Sequence, residues 1–370
     1  MSYIRLLKTM FNDTENNRSE LEKLVHLDVH HRLNGAEQDL QLYPKVLDLR
    51  ATVSAIRSGK PTDQNPESDP ELLVLQAPLL SCRNLEDGLF LGRRPYNCDL
   101  MVMVKSCTLC QRQRAHARST YMQKRLWVGL RIEFVFVVGV PFFLNSSRYI
   151  VDDVELPSRQ HVRTKNELRE RRKALFKESQ INNDMLIGGF RDSYENLTTK
   201  VIFAFRWAST FCKYCSPLFL FMDNDVSLIP KNVLRLVKNL PEEDKKEVLG
   251  GMRYPNREAV RPTGNIFANR HALTRKHYPW RYLPPFLRGG GYLVGSEKVR
   301  DAAIASAYVK RVRMEDVFTA LIWEKLGYKC IILPGFLLRP SLPSDVARLS
   351  LTYTRFADLH VDWKTGEFVH

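Results

Sequence analysis

Three short runs of nearly unbroken apolar residues, Leu100–Val104, Phe134–Gly139 and Leu218–Met222, constrain this chain more than any other feature. A strand without alternation is buried on both faces, so a sheet built from such strands needs helices above and below it. The segments between the runs supply them. Residues 112–124 and 196–211 read as helices, and 164–177 is a helix-like run of cations with glutamates between them. Strands alternating with helices predict an α/β fold, a mainly parallel twisted sheet flanked by helices.

Residues 1–92 look different. Their polar, proline-bearing stretch at 62–70 is typical of a linker, and no chemical motif precedes it. The expected organisation is an extension or stem over 1–92 and one catalytic domain over 93–370. The net charge of +15 across 370 residues predicts a surface that attracts anions. Nucleic acid satisfies that charge, but the chain has no RRM, KH, helix-turn-helix or zinc-finger signature, so no nucleic-acid partner is expected. Seven cysteines include two C-x-x-C pairs, Cys107/Cys110 and Cys212/Cys215, spaced too far apart for a zinc ribbon; disulfides or buried thiols are the better reading. The longest apolar stretch, 127–144, contains Arg131 and Glu133, so no secretory signal or membrane anchor is visible.

The tripeptide Asp223-Asn224-Asp225 ends the third apolar run. In open α/β sheets that edge binds ligands, and paired hard oxygens there suit Mg²⁺ or Mn²⁺ bridging to a diphosphate. A polar turn explains the same residues. A second acidic pair, Glu315-Asp316, opens a helical pattern that runs to Gly327. The helix dipole accounts for acids in a first turn, while a general base needs a carboxylate near the reacting hydroxyl. Between the pairs, Gly289-Gly290-Gly291 permits either close approach of a ligand or a tight turn.

In this order the motifs resemble those of the β-1,3-galactosyltransferase family, which includes β-1,3-N-acetylglucosaminyltransferases and is distantly similar to Fringe. The resemblance spans about residues 97–330. Arg114-Ala-His-Ala-Arg118-Ser-Thr120 resembles the family's R-x-x-x-R-x-T-W, with Tyr121 for tryptophan. Phe190-Arg-Asp192-Ser193-Tyr194-Glu-Asn196-Leu197-Thr198-Thr-Lys200 is similar to D-F-x-D-S-Y-x-N-L-T-x-K. Asp223-Asn-Asp225-Val, Leu283-Pro-Pro-Phe286-Leu-Arg-Gly289-Gly-Gly291-Tyr292 and Glu315-Asp316-Val317 stand where the family has D-D-D-V, Y-P-P-Y-x-x-G-G-G-Y and E-D-V. Three departures stand out: Asn224 replaces the middle aspartate, Phe221 replaces a lysine, and no C-terminal histidine lies in register.

The resemblance implies a GT-A type nucleotide-sugar-binding fold and an inverting, metal-dependent transfer of galactose or an N-acetylhexosamine from a UDP-sugar to a glycan hydroxyl. It assigns Asp316 as general base and Glu315 as an acceptor-binding or orienting neighbour. Arg114, Arg118, Asp192, Lys200, Asp223, Asn224, Gly290 and Gly291 become donor-binding residues. Asp223 and Asp225 become ligands to Mn²⁺ or Mg²⁺, with His360 as a substitute third ligand. It further implies acceptors on glycoprotein or glycolipid, glycosylation of Asn196, and a Golgi location through a membrane anchor not visible in this sequence. Two rival readings are a transferase-like binding protein that has lost catalysis, in keeping with the three departures, and a nucleic-acid-binding protein resting on charge alone.

Overall fold

The computed structural model describes residues 47–79 and 98–336, apart from 145, 158–161, 163, 213 and 334, together with three short strands at 352–354, 360–362 and 367–369. Helix α1 (Leu49–Arg57) and strand β1 (Val74–Gln76) come first. Strand β2 (Leu100–Lys105) leads into helix α2 (Gln111–Ser119), and β3 (Ile132–Val140) into a hairpin, β4 (Arg148–Val151) and β5 (Val154–Pro157). Helix α3 (Lys165–Asn182), β6 (Met185–Arg191), α4 (Leu197–Phe211) and β7 (Leu218–Asp223) complete the first half. The second half holds β8 (Val226–Leu228), α5 (Pro230–Asn239), β9 (Leu249–Tyr254), β10 (Phe286–Gly295), α6 (Ser296–Ala305), α7 (Glu315–Lys325) and β11 (Ile331–Ile332).

Eight strands form the main sheet in the order β1-β6-β3-β2-β7-β10-β9-β11. The central four, β6, β3, β2 and β7, are mutually parallel. Strands β1, β10 and β9 add antiparallel pairings toward the two edges, and β11 pairs parallel with β9. The expected α/β architecture with a mostly parallel, helix-flanked sheet is what forms.

Burial explains the unbroken apolar runs. All six residues of β2 are buried, and the five apolar ones divide between two cores. Met101 and Met103 face a core shared with α1, α4, α6 and α7, while Leu100, Val102 and Val104 face one shared with α2, α3 and α5. Each fully buried side chain of this size stabilises the fold by roughly 1.5–3 kcal/mol relative to exposure. Helix α4 is apolar around most of its circumference because it sits between the sheet and α6. Helix α3 is charged on its outer face. It starts at Thr164, whose side chain accepts from the Glu167 N–H, and stops at Asn183 in the left-handed region (φ 55°).

Residues 47–79 fall within the span expected to be an extension, yet they belong to the same body. Leu49 and Val53 of α1 are buried in the first core, Arg57 pairs with Asp301 of α6 at 2.7 Å, and β1 hydrogen-bonds to β6 as an edge strand. The polar composition of 62–70 reflects a surface-running connection between these two pieces.

Candidate functional site

Because β6, β3, β2 and β7 run parallel, their carboxyl ends reach one edge of the sheet together, and the segments that follow them enclose a cavity of about 250 Å³. Its walls come from 105–110 after β2, from Phe142 and the β4–β5 hairpin after β3, from 192–200 after β6, and from Asp223–Asp225 after β7. The hairpin turns on Asp152 and Asp153, both at positive φ (51° and 60°), the backbone a tight two-residue turn requires.

Lys105 closes β2 and stands beside Asp223 in the strand register. Its ammonium is buried and donates to the Gly289 carbonyl (2.8 Å), to Glu315, and toward Asp223 Oδ1 (3.1 Å). Burial opposes its charge, but Asp223 and Glu315 outweigh that and hold it protonated well above the ordinary lysine range. The amine also lies 6.0 Å from the Tyr292 ring centroid, and Phe221 stacks on that same ring at 5.6 Å. Where the resemblance expects a lysine, Phe221 is therefore wholly committed to the core, and the buried cation at the cleft floor is Lys105, one strand over. Sequence reasoning passed over Lys105; its signal was a charge closing an otherwise apolar, doubly buried strand.

The two acidic pairs, about ninety residues apart in the chain, meet here. Lys105 links Asp223 to Glu315, and Asp316 follows in the first turn of α7. Gly289 makes the approach possible, since a Cβ there would lie 2.7 Å from Glu315 Oε2. Burial pushes the Asp316 carboxyl up to about 7, with the charge of Glu315 adding to the effect, while its Oδ1 accepts from the Val317 N–H at 2.9 Å. Burial likewise raises Glu315, against the opposing pull of Lys105. Asp225 is raised first by partial desolvation and then by repulsion from Asp223; Lys105 and Arg288 pull it back.

Asp223 and Asp225 are a pair of hard oxygen donors on one solvent-reachable turn, with mutual repulsion that a cation would relieve. That fits Mg²⁺ or Mn²⁺, which take one or two carboxylates together with phosphate oxygens. Among the described residues, no three His, Cys, Asp or Glu side chains group closely enough to enclose a metal unaided. His360 begins a short strand that pairs with 367–369, and its side chain lies outside what is described.

The remaining expected residues divide in two. Asp192 and Lys200 both line the cavity as a buried ion pair (2.7 Å), with Lys200 also donating to the Ser106 carbonyl and Asp192 accepting from the Gly139 N–H at 3.3 Å. Asn224 lines it too, and its N–H donates to the Lys105 carbonyl (3.2 Å).

Arg114 and Arg118 differ from expectation. Arg114 is 0 % exposed, and its guanidinium is taken by Glu178 (2.8 and 2.6 Å), Ser106 Oγ (3.0 Å) and the Cys107 carbonyl. Arg118 forks onto Asp184 at 2.7 and 2.8 Å and reaches Glu178 at 2.8 Å. Both bolt α2 to α3 and neither lines the cavity, so the expected phosphate contact is replaced by a structural one. Burying two guanidinia demands paired carboxylates, and those partners sit more than fifty residues away in sequence. The arginine that does line the cavity is Arg270, stacked 3.8 Å over the Tyr194 ring. Gly290 and Gly291 also differ from expectation: they are buried inside β10, packed between β7 and β9 and away from the cavity.

Asn196 ends a short helical turn before α4; its Nδ2 donates to the Arg191 carbonyl (3.1 Å) and its Oδ1 accepts from Arg311 (3.1 Å). Thr198 of the same triplet is buried and donates to the Val312 carbonyl at 2.7 Å, tying α4 to the loop before Glu315. The Asn-Leu-Thr signature is thereby spent on internal structure. Cys107 and Cys110 form a disulfide on the cavity wall, whereas Cys212 and Cys215 are buried thiols behind β7.

Residues 163–334 match the galactosyltransferase family model. That span contains Asp192, Lys200, Asp223–Asp225, Gly289 and Glu315–Asp316, and leaves out Lys105 and the disulfide. Among relatives, UDP-GalNAc:beta-1,3-N-acetylgalactosaminyltransferase 1 of Mus musculus is 25% identical over 241 residues, 64% of each chain. The same protein of Rattus norvegicus is 26% identical over the same length. UDP-GlcNAc:betaGal beta-1,3-N-acetylglucosaminyltransferase 9 of Homo sapiens is 28% identical over 236 residues, 64% of this chain and 53% of that one. The chain thus spans less than two thirds of the length of the curated relatives it matches.

Proposed function

We propose that this chain, which matches the galactosyltransferase family model over 163–334 and is similar to the β-1,3-hexosaminyltransferases above, transfers galactose or an N-acetylhexosamine from a UDP-sugar to a glycan hydroxyl with inversion at the anomeric carbon. One observation carries this reading: Asp223, Asp225, Glu315 and Asp316 converge beside a cavity at the carboxyl edge of a parallel sheet, with one buried lysine between the pairs.

The nucleotide-sugar occupies the cavity. Arg270 supplies positive charge to its wall, and Ser193 Oγ, buried on that wall with no hydrogen-bond partner among the described residues, offers a donor to a phosphate or hydroxyl oxygen. Asp223 and Asp225 would hold Mn²⁺ or Mg²⁺, which would supply Lewis-acid neutralisation of charge on the pyrophosphate leaving group. Asp316 takes the proton of the acceptor hydroxyl as that oxygen attacks the anomeric carbon from the face opposite UDP; the C–O bond to UDP breaks and UDP departs. A carboxyl near 7 matches this task, since a general base works best with a pKa close to the operating pH. Glu315, fixed by Lys105 and seated against Gly289, orients the acceptor side of the cleft.

No helix among the described residues is long and apolar enough to cross a membrane. A Golgi location, with acceptors on glycoprotein or glycolipid, is the setting this function implies. The direct test is calorimetric titration of UDP with and without Mn²⁺, followed by a screen of UDP-hexoses for UDP release. Asp225→Ala is expected to abolish the metal-dependent part of UDP binding; unchanged metal-dependent binding in that variant overturns the assignment.

A further inference from the structure

The cavity lies over β6, β3, β2 and β7, on one side of the Asp223–Asp225 turn. On the other side, β10 and β9 continue past the same sheet edge. Strand β10 runs antiparallel to β7 with Gly291 opposite Met222, and the Arg288 charge that precedes this pairing in β10 is close enough to Asp225 to act on its carboxyl. Strand β9 follows with Tyr254 opposite Phe286, which carries Tyr254 and then Arg257 beyond the edge as well.

These three side chains form one unit. Arg288 Nη1 donates to the Tyr254 hydroxyl at 2.9 Å, its guanidinium lies 5.9 Å from the ring centroid, and the Arg257 guanidinium stacks at 4.2 Å over the ring. Arg257 is exposed and Arg288 half-buried. Neither has a carboxylate ion-pair partner among the described residues, in contrast to nearby Arg281, which Glu258 neutralises at 3.1 Å. One guanidinium stacked on the Tyr254 ring and a second hydrogen-bonded to its hydroxyl, neither closed by a salt bridge among the described residues, present planar forks that match the oxygens of a carboxylate or sulfate. Proximity to Asp225 places that charge beside the reacting centre, across the turn from the nucleotide cavity.

We propose that Tyr254, Arg257 and Arg288 form an acceptor subsite for a sugar bearing an anionic substituent, a carboxylate or sulfate, so that the chain selects acidic over neutral acceptor glycans. The proposal rests on the transferase reading above. A charge-assisted hydrogen bond from each arginine corresponds to roughly a tenfold or greater preference.

The test compares p-nitrophenyl β-galactoside with its 6-sulfated form as acceptors, using the UDP-hexose that the protein turns over, in the wild type and in Arg257→Ser, Arg257→Lys and Arg288→Ser. UDP affinity is measured alongside, and binding of the sulfated galactoside in the presence of UDP is read by saturation-transfer NMR. The expected result is a kcat/KM ratio favouring the sulfated acceptor by about tenfold or more, falling about tenfold in each serine variant and partly kept in Arg257→Lys, with UDP affinity within about twofold of wild type. Arg257 is exposed, so its variants report even where Arg288→Ser unfolds. Equal use of both acceptors by the wild type, or a ratio unmoved by the substitutions, overturns the subsite while leaving the transferase reading intact. A loss of UDP affinity in Arg288→Ser with an unchanged acceptor ratio overturns it too, by giving that arginine to the pyrophosphate. Absence of UDP binding in the wild type sinks the transferase reading, and the NMR measurement then still decides whether the arginines take the anion.

Discussion

Replacing Lys105 with methionine removes the buried positive charge between the two acidic pairs while keeping the length of the stem. In the structure that ammonium faces Glu315, Asp223 and the Gly289 carbonyl, and no water-exposed path relieves it, since the Lys105 side chain is 0% exposed and that of Glu315 8%. Breaking a buried ion pair by removing one partner costs about 3–5 kcal/mol, because the other charge is left unpaired. The Asp223 contact adds little to this, as its side chain is 37% exposed and solvent screens it. The loss should therefore come mainly from Glu315, and it should depend on pH. Glu315 already has a raised carboxyl, and without Lys105 it rises further, so acid lets it protonate and removes the penalty. Urea unfolding at a series of pH values between about 5 and 8 measures this, with Lys105→Met, Glu315→Gln and the double variant forming a cycle. The expected outcome is a gap of about 3–5 kcal/mol between wild type and Lys105→Met at pH 7.5 that narrows toward pH 5, and substantial recovery in the double variant. A gap below about 1 kcal/mol, or one that is flat in pH, would refute the claim that Lys105 exists to hold Glu315 ionised.

Asp316→Asn should lower kcat by about 10²–10⁴-fold while UDP affinity stays close to wild type, measured by UDP release and calorimetry. The pH profile of kcat/KM should rise through an apparent pKa of about 7, because only ionised Asp316 accepts the proton. Its raised carboxyl also means that this group's contribution to stability is present below the ordinary aspartate range and lost as pH rises through about 7, so Asp316→Asn should flatten the stability curve between the ordinary aspartate range and about 7. Gly289→Ala would put a methyl 2.7 Å from Glu315 Oε2. It should lower both kcat and the urea midpoint, and a variant with wild-type turnover would show that the tight seat of Glu315 is dispensable.

The layered fold was legible because it is written locally. Runs such as Leu100–Val104 and Leu218–Met222 lack alternation only when both faces of a strand are covered, so the helix-flanked sheet follows from the strands themselves. The order Asp223–Asp225, then the glycines, then Glu315–Asp316 carried the resemblance that the family match over 163–334 supports, for the same reason: residue types and their sequence could be read without coordinates. The placement of 47–79 was not legible, because only two apolar side chains of α1, Leu49 and Val53, are buried in the core and the helix is otherwise largely polar.

What the linear order could not convey was which charge meets which. Arg114 and Arg118 have the composition of phosphate ligands, and only the packing of α2 on α3 assigns them to Glu178 and Asp184. Lys105 reads as the last residue of a strand, and only parallel pairing with β7, together with the approach of α7 across Gly289, turns it into the counter-charge of two distant carboxylates. Apolar burial depends on a residue's own character and is thus carried by sequence period. Electrostatic partnership falls off with distance in space, and that distance is decided only once the sheet has closed and the helices have docked.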